Sequence, residues 1–168
     1  TGTIIYCDSV TGTAGGSGIY TAPVATVAQA QALATASKGD IIAFFPGHAQ
    51  TIAAATEFAP AKAGVSYIGL GMGADRATFT FSTNTTANIP VTAASCYFAN
   101  LLFVCNVDSV VAAMTISASD VTVEDTEIRD ATDKEFVTPI LTTSAADRLT
   151  QAIGRLRDML VAHATDPD

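Results

Sequence analysis

Tryptophan is absent from these 168 residues, and cations are scarce: 8 Lys and Arg stand against 16 Asp and Glu. The formal charge of −8 leaves too little positive charge to neutralise a phosphate backbone, so nucleic acid is not an expected partner. Long apolar runs are missing too. The longest, such as Leu101–Cys105, fall far short of the ~20 residues a membrane-spanning helix needs, so no membrane partner is expected. Cysteine is limited to Cys7, Cys96 and Cys105, an odd number with no CxxC spacing, which provides neither a zinc site nor a redox pair. Buried free thiols are the expectation for all three. The opening residues lack a basic region followed by an apolar stretch, so synthesis in a reducing, intracellular setting is expected. Disorder is excluded by composition, because 49% of residues are hydrophobic and only 14% are charged.

What the chain has in abundance is alanine, 31 residues, and threonine, 24. Small and β-branched side chains at that density suit closely stacked strands. Three parts follow one another. Residues 1–40 read as a short strand at Thr3–Cys7, a glycine-bearing loop at Asp8–Pro23, and an N-terminal capping helix over Val24–Ala36, with Thr21 as its cap and Pro23 in its first turn. The loop holds Gly12, Gly15, Gly16 and Gly18 but no Lys, so it does not read as a phosphate cradle.

Residues 41–147 contain an internal repeat. Cys96–Phe103 aligns without gaps on Val121–Ile128 at an offset of 25, and Val65–Leu70 aligns on Cys96–Leu101 at an offset of 31. Val65, Cys96 and Val121 fall on one face together with Tyr67, Phe98 and Val123, while Gly69, Asn100 and Asp125 share the corner that follows. A second column begins at Pro90, Thr115 and Leu141. Short strands recurring at this period describe a solenoid. The fold class is all-β: a short right-handed single-stranded parallel β-helix of about four coils, with an N-terminal capping helix and a C-terminal helix.

Residues 148–168 break the period. Asp147–Thr150 starts like another rung, yet Leu149, Ile153, Leu156 and Leu160, continued by His163, have helical spacing. Such a stripe either covers the open end of the solenoid or joins subunits, and an acidic tail follows.

The segments Thr3–Gly12, Gly39–Ile42, Pro46–Ala49 and Val65–Gly71, with Arg76 and Thr78–Phe81 after them, resemble the opening of pectate-lyase-like β-helix proteins. Such openings occur in virion proteins of tailed bacteriophages and in polysaccharide-degrading enzymes. That opening, the lack of a catalytic constellation and the short solenoid with its added helix together point to a non-enzymatic capsid decoration or cement protein. It would be a homotrimer held by self-contacts, bound to the major capsid protein or another virion protein on the outer capsid surface, and made in the host cytoplasm. The alternatives are a carbohydrate-active β-helix, tailspike-like or pectate-lyase-like, and a truncated or engineered scaffold.

Lyases of this fold carry stacked carboxylates that bind calcium beside a basic residue. The candidate segment here is Glu124, Asp125, Glu127, Arg129 and Asp130, followed by Asp133 and Glu135. The preceding rung offers Ala99, Asn100 and Leu102 at the matching places, so no carboxylate ladder is expected, and Ca²⁺ wants six to eight oxygens. No cofactor, metal or catalytic residue is assigned. His48, in Pro46–Ala49, reads as structural; of the four tyrosines, Tyr67 belongs in the core, and Tyr6, Tyr20 and Tyr97 are too few for an extended sugar platform.

Overall fold

A computed structural model describes residues 1–143 and the backbone of Leu149 and Thr150. Alternating side chains in short segments give strands that cannot stand alone, and here each finds its partner one coil away in parallel pairing. The first sheet contains β1 (Ile4–Cys7), β2 (Ile41–Phe44), β4 (Ser66–Gly69), β7 (Tyr97–Ala99), β10 (Val121–Glu124) and β13 (Leu149–Thr150). The second contains β3 (Ala49–Thr51), β5 (Ala77–Phe81), β8 (Leu101–Cys105) and β11 (Glu127–Asp130). The third contains β6 (Ile89–Val91), β9 (Met114–Ile116) and β12 (Ile140–Thr142). The chain visits the three sheets in turn, which makes a parallel β-solenoid of about four turns.

The repeat offsets are the pairing registers. Phe98 lies opposite Val123 and Tyr67 opposite Phe98, while Phe103 pairs with Ile128 and Thr115 with both Pro90 and Leu141. Inward columns fill the interior with large rings: Tyr67 stacks on Phe98 at 4.9 Å, and Phe58, entering from the β3–β4 connection, sits 5.0 Å from Phe79 and 5.3 Å from Tyr67. Cys7, Cys96 and Cys105 are free and buried, as their composition suggested.

Corners are made by residues that accept a left-handed backbone. Gly39, Gly64, Ser95 and Asp120 take φ values of 73°, 70°, 56° and 54° just ahead of successive strands of the first sheet. Asn100 and Asp125, at 55° and 45°, turn the chain from the first sheet into the second. Gly69 does not share that conformation, contrary to the aligned-corner expectation. It is the last residue of β4, and the turn in its coil is a longer segment, Leu70–Arg76, that includes a 3-10 turn at Gly73–Asp75. Glycine is needed at 69 for another reason: a Cβ there would lie 2.2 Å from the Asn100 carbonyl oxygen. The Asn100 side chain ties this corner together by donating to the carbonyls of Gly69 and Gly71, each at 2.8 Å.

The N-terminal helix is shorter than expected. α1 spans Val27–Leu33, and its cap is Thr26 rather than Thr21. Val24 is held extended by bridges to Cys7 and Thr13, so the helix cannot begin until Thr26 and Gln29 close a capping box. At the other end the Lys62 ammonium donates to the carbonyls of Gln31 at 2.6 Å and Ala34 at 2.5 Å, satisfying groups the last turn leaves free. Val27 and Ala30 join the same core as Ile5. At the C-terminal side, Leu149 pairs with Val121 and Thr150 with Thr122, as the rung-like opening of that segment indicated. Leu149 is therefore strand in this structure rather than the head of a helix. The other members of the stripe, Ile153, Leu156, Leu160 and His163, lie outside the described residues.

Candidate functional site

The acidic segment occupies β10, β11 and the turns around them. Strand alternation sends Val123 inward and Glu124 outward, opposite Ala99 on the neighbouring rung. Glu127 is likewise opposite Leu102. Among the described residues, the preceding rung sets no carboxylate against either one, as the repeat alignment indicated. Instead the outward groups pair locally. The Tyr97 hydroxyl donates to Glu124. Arg76 crosses from two coils away to Glu127 at 2.8 Å, and Arg129 reaches the other oxygen of the same carboxylate at 2.5 Å. The bond to the Glu124 carboxylate, reinforced by burial and by the nearby charges, pushes the Tyr97 phenol up to about 12. Tyr97 is therefore a proton donor in its ordinary state, not a base.

Asp130, Asp133 and Glu135 line a shallow cleft of about 590 Å³ together with Asp108 and Lys134. One Asp130 oxygen accepts the Phe136 N–H at 3.2 Å. Among the described residues, no group of three or more His, Cys, Asp or Glu side chains is placed to hold a metal ion. Glu124 and Asp125 do not converge with Asp130, Asp133 and Glu135 on such a centre.

His48 is fully buried, with Nδ1 3.9 Å from the Cys7 sulfur and its ring packed on Phe44 and Phe79. Burial pushes the imidazole down to about 4 and the Cys7 thiol up to about 12. A neutral imidazole beside a protonated thiol, sealed from solvent, packs the core and does not act as a nucleophilic pair. Asp8, next to Cys7 in sequence, loses solvation on burial. Its bonds from the Thr11 hydroxyl and from the Val10 and Thr11 N–H groups outweigh that loss and hold it below the ordinary carboxylate range.

Sequence reasoning missed one constellation. Tyr6, Tyr20 and Phe45 form a cluster on the outer face of the first sheet, with ring centroids 5.2 to 5.5 Å apart. The signal was present in the alternation, since Tyr6 lies between inward Ile5 and Cys7 and Phe45 follows inward Phe44. Tyr67, by contrast, is in the core as expected.

Neither the protein-family models nor the curated proteins contain a match to this chain. Among solved structures, a rhamnogalacturonan lyase superposes with a TM-score of 0.64 at 20% identity, covering 77% of this chain and 36% of that one. The likeness is one of fold. It places the chain in the pectate-lyase-like β-helix architecture that its opening segments resemble, and the chain spans about a third of the lyase's length. One fold hosts unrelated functions, so a likeness at this identity extends to the fold alone.

Proposed function

We propose that this chain is a non-catalytic structural module of a virion, a decoration or cement component that self-associates and binds an assembled protein shell. The observation that carries the reading is the engagement of the outward side chains. Glu127 is taken up by Arg76 and Arg129, Glu124 by Tyr97, and the neighbouring rung sets Ala99 and Leu102 where further ligands would be needed. What remains is a rigid prism with corners locked by backbone conformation and an aromatic cluster on one face. The resemblance of its opening to phage virion β-helix proteins supports the setting. A module that binds only the assembled shell stabilises it by mass action. Thermal disassembly of shells with and without the purified chain tests this, with a higher disassembly temperature expected on addition.

The second reading, a carbohydrate-active β-helix, is favoured by the enzyme fold neighbour and by the two arginines beside Glu127. Incubation with acidic pectic polysaccharides and Ca²⁺ separates the two. Release of unsaturated oligosaccharides that is lost in Glu124→Ala or Arg129→Ala would replace the structural reading with the catalytic one.

A further inference from the structure

The His48 ring is well packed on its apolar faces and poorly served at its two nitrogens. Its faces meet Phe44 and Phe79, with ring centroids 5.1 and 5.7 Å away. Nδ1 meets only the Cys7 sulfur, a weak acceptor, and Nε2 has no hydrogen-bond partner. The titratable groups that face the ring are Cys7 and Asp8, since β2, β3, β5 and α1 carry no charged side chain. The Asp8 carboxylate is already committed to the Val10 and Thr11 N–H groups and the Thr11 hydroxyl. An imidazolium in this place would hold two N–H donors with no oxygen to receive them, so a second proton requires water.

One weakly held segment lies next to this ring. Residues 9–17 follow directly on Cys7 and Asp8, and none of them is buried. Two hydrogen bonds tie the segment to the rest of the molecule. The Thr13 N–H donates to the Pro23 carbonyl at 3.1 Å, and the Ala49 N–H, one residue past His48, donates to the Ser9 hydroxyl at 2.9 Å in an exposed position. Its other bonds close on Asp8 or within the segment. The coils beneath are held instead by parallel ladders in three sheets. Segments with few buried contacts and exposed hydrogen bonds open before the rest. We infer that residues 9–17 form an acid-released flap: protonation of His48 frees the Ser9–Ala49 tie and admits solvent to the imidazole and the Cys7 thiol while the coils stay stacked. Burial sets the direction. The closed imidazole resists the proton down to about 4 and the opened one takes it at the ordinary 6.5, so the open form gains roughly 20-fold between pH 7 and pH 5. Asp8, held below the ordinary carboxylate range, stays ionised over that window and adds little to the change.

The three native cysteines supply the test, because all are free and buried but only Cys7 touches His48. The chain is labelled with dithiodipyridine, which reacts with thiols in acid as well as at neutral pH, and the labelled peptides are counted by mass spectrometry. Cys96 and Cys105 report any global opening, and the ratio of Cys7 to Cys96 labelling cancels the reagent's own pH dependence. The expected ratio rises at least tenfold on acidification, with the far-UV circular dichroism unchanged. His48→Phe should hold the ratio flat. Ser9→Ala, which removes the tie and leaves the core intact, should raise it several-fold already at neutral pH and so reads out even if His48→Phe misfolds. Acceleration shared equally by Cys96 and Cys105 would show the whole solenoid opening and overturn the flap. So would a ratio indifferent to pH, a rise that persists in His48→Phe, or a neutral-pH ratio unmoved by Ser9→Ala. None of these outcomes depends on whether the chain is structural or catalytic.

Discussion

Asn100 combines two contributions that substitution can separate. Its backbone is left-handed at φ 55°, and its side-chain amide donates at 2.8 Å to the Gly69 and Gly71 carbonyls. Each of those bonds contributes about 1 kcal/mol net. Forcing a residue with a Cβ but no local hydrogen bonding into the left-handed region costs about 1 kcal/mol more. Asn100→Ala loses both contributions, about 3 kcal/mol, whereas Asn100→Gly loses only the bonds, about 2 kcal/mol. For a chain of this length those losses correspond to falls in Tm of about 6–12 °C and about 4–8 °C. Asn100→Asp sets a carboxylate against two carbonyls, which raises that carboxyl's folded-state pKa, so its penalty is full at neutral pH and eases as pH falls. Urea unfolding followed by far-UV circular dichroism reads all three. Equal destabilisation by Ala and Gly would refute the backbone contribution, and a silent Asn100→Gly would refute the hydrogen-bond contribution.

Gly69→Ala, which drives a Cβ to 2.2 Å from the Asn100 oxygen, is expected to destabilise more than Gly15→Ala, where the space is open; matched thermal melts compare them. Lys62→Met keeps the aliphatic stem but strips the carbonyls of Gln31, Ala32 and the C-cap Ala34 of their donor, for a loss of about 2 kcal/mol in urea titration. Glu127→Gln breaks two partly exposed ion pairs and should move Tm by no more than 2–4 °C, the equivalent of about 1 kcal/mol. On acidification, stability should fall in two stages. Folded His48 resists protonation down to about 4, so the unfolded chain binds the extra proton and stability drops as pH falls below about 6.5. Asp40, held low by the Thr3 and Thr35 N–H groups, adds a further loss as pH falls below the ordinary carboxylate range and through its own depressed value. His48→Phe should remove the first stage from the pH–stability curve while leaving the second.

The stacking was legible because pairing in a parallel solenoid depends only on alternation and offset, and both survive in the letters: Val123 under Phe98, Ile128 under Phe103, Ile116 under Val91. Corners were legible only where their length is constant. Seven residues, Leu70–Arg76, stand where Asn100 alone stands in the next coil, so the letters at 69 and 100 align while their conformations do not. The start of α1 was hidden by a long-range bridge that keeps Val24 extended, which local capping rules do not register. In the candidate site, the unpaired register of Glu124 and Glu127 followed from the repeat, but their bonds to Tyr97 and Arg76 span 27 and 51 residues and had no local signature. The aromatic cluster was missed because Tyr20 arrives from a loop whose path no period describes.

Stacking of this kind also makes each lap depend on its neighbour. Each strand of the first sheet pairs with the one before it, and the N-terminal end is closed at once by the segment around Val24 and by α1. Once that first coil has formed, every later coil needs to close only a loop of a few tens of residues to dock on it. The corners built by Gly39, Gly64, Ser95 and Asp120 each set where one more lap begins.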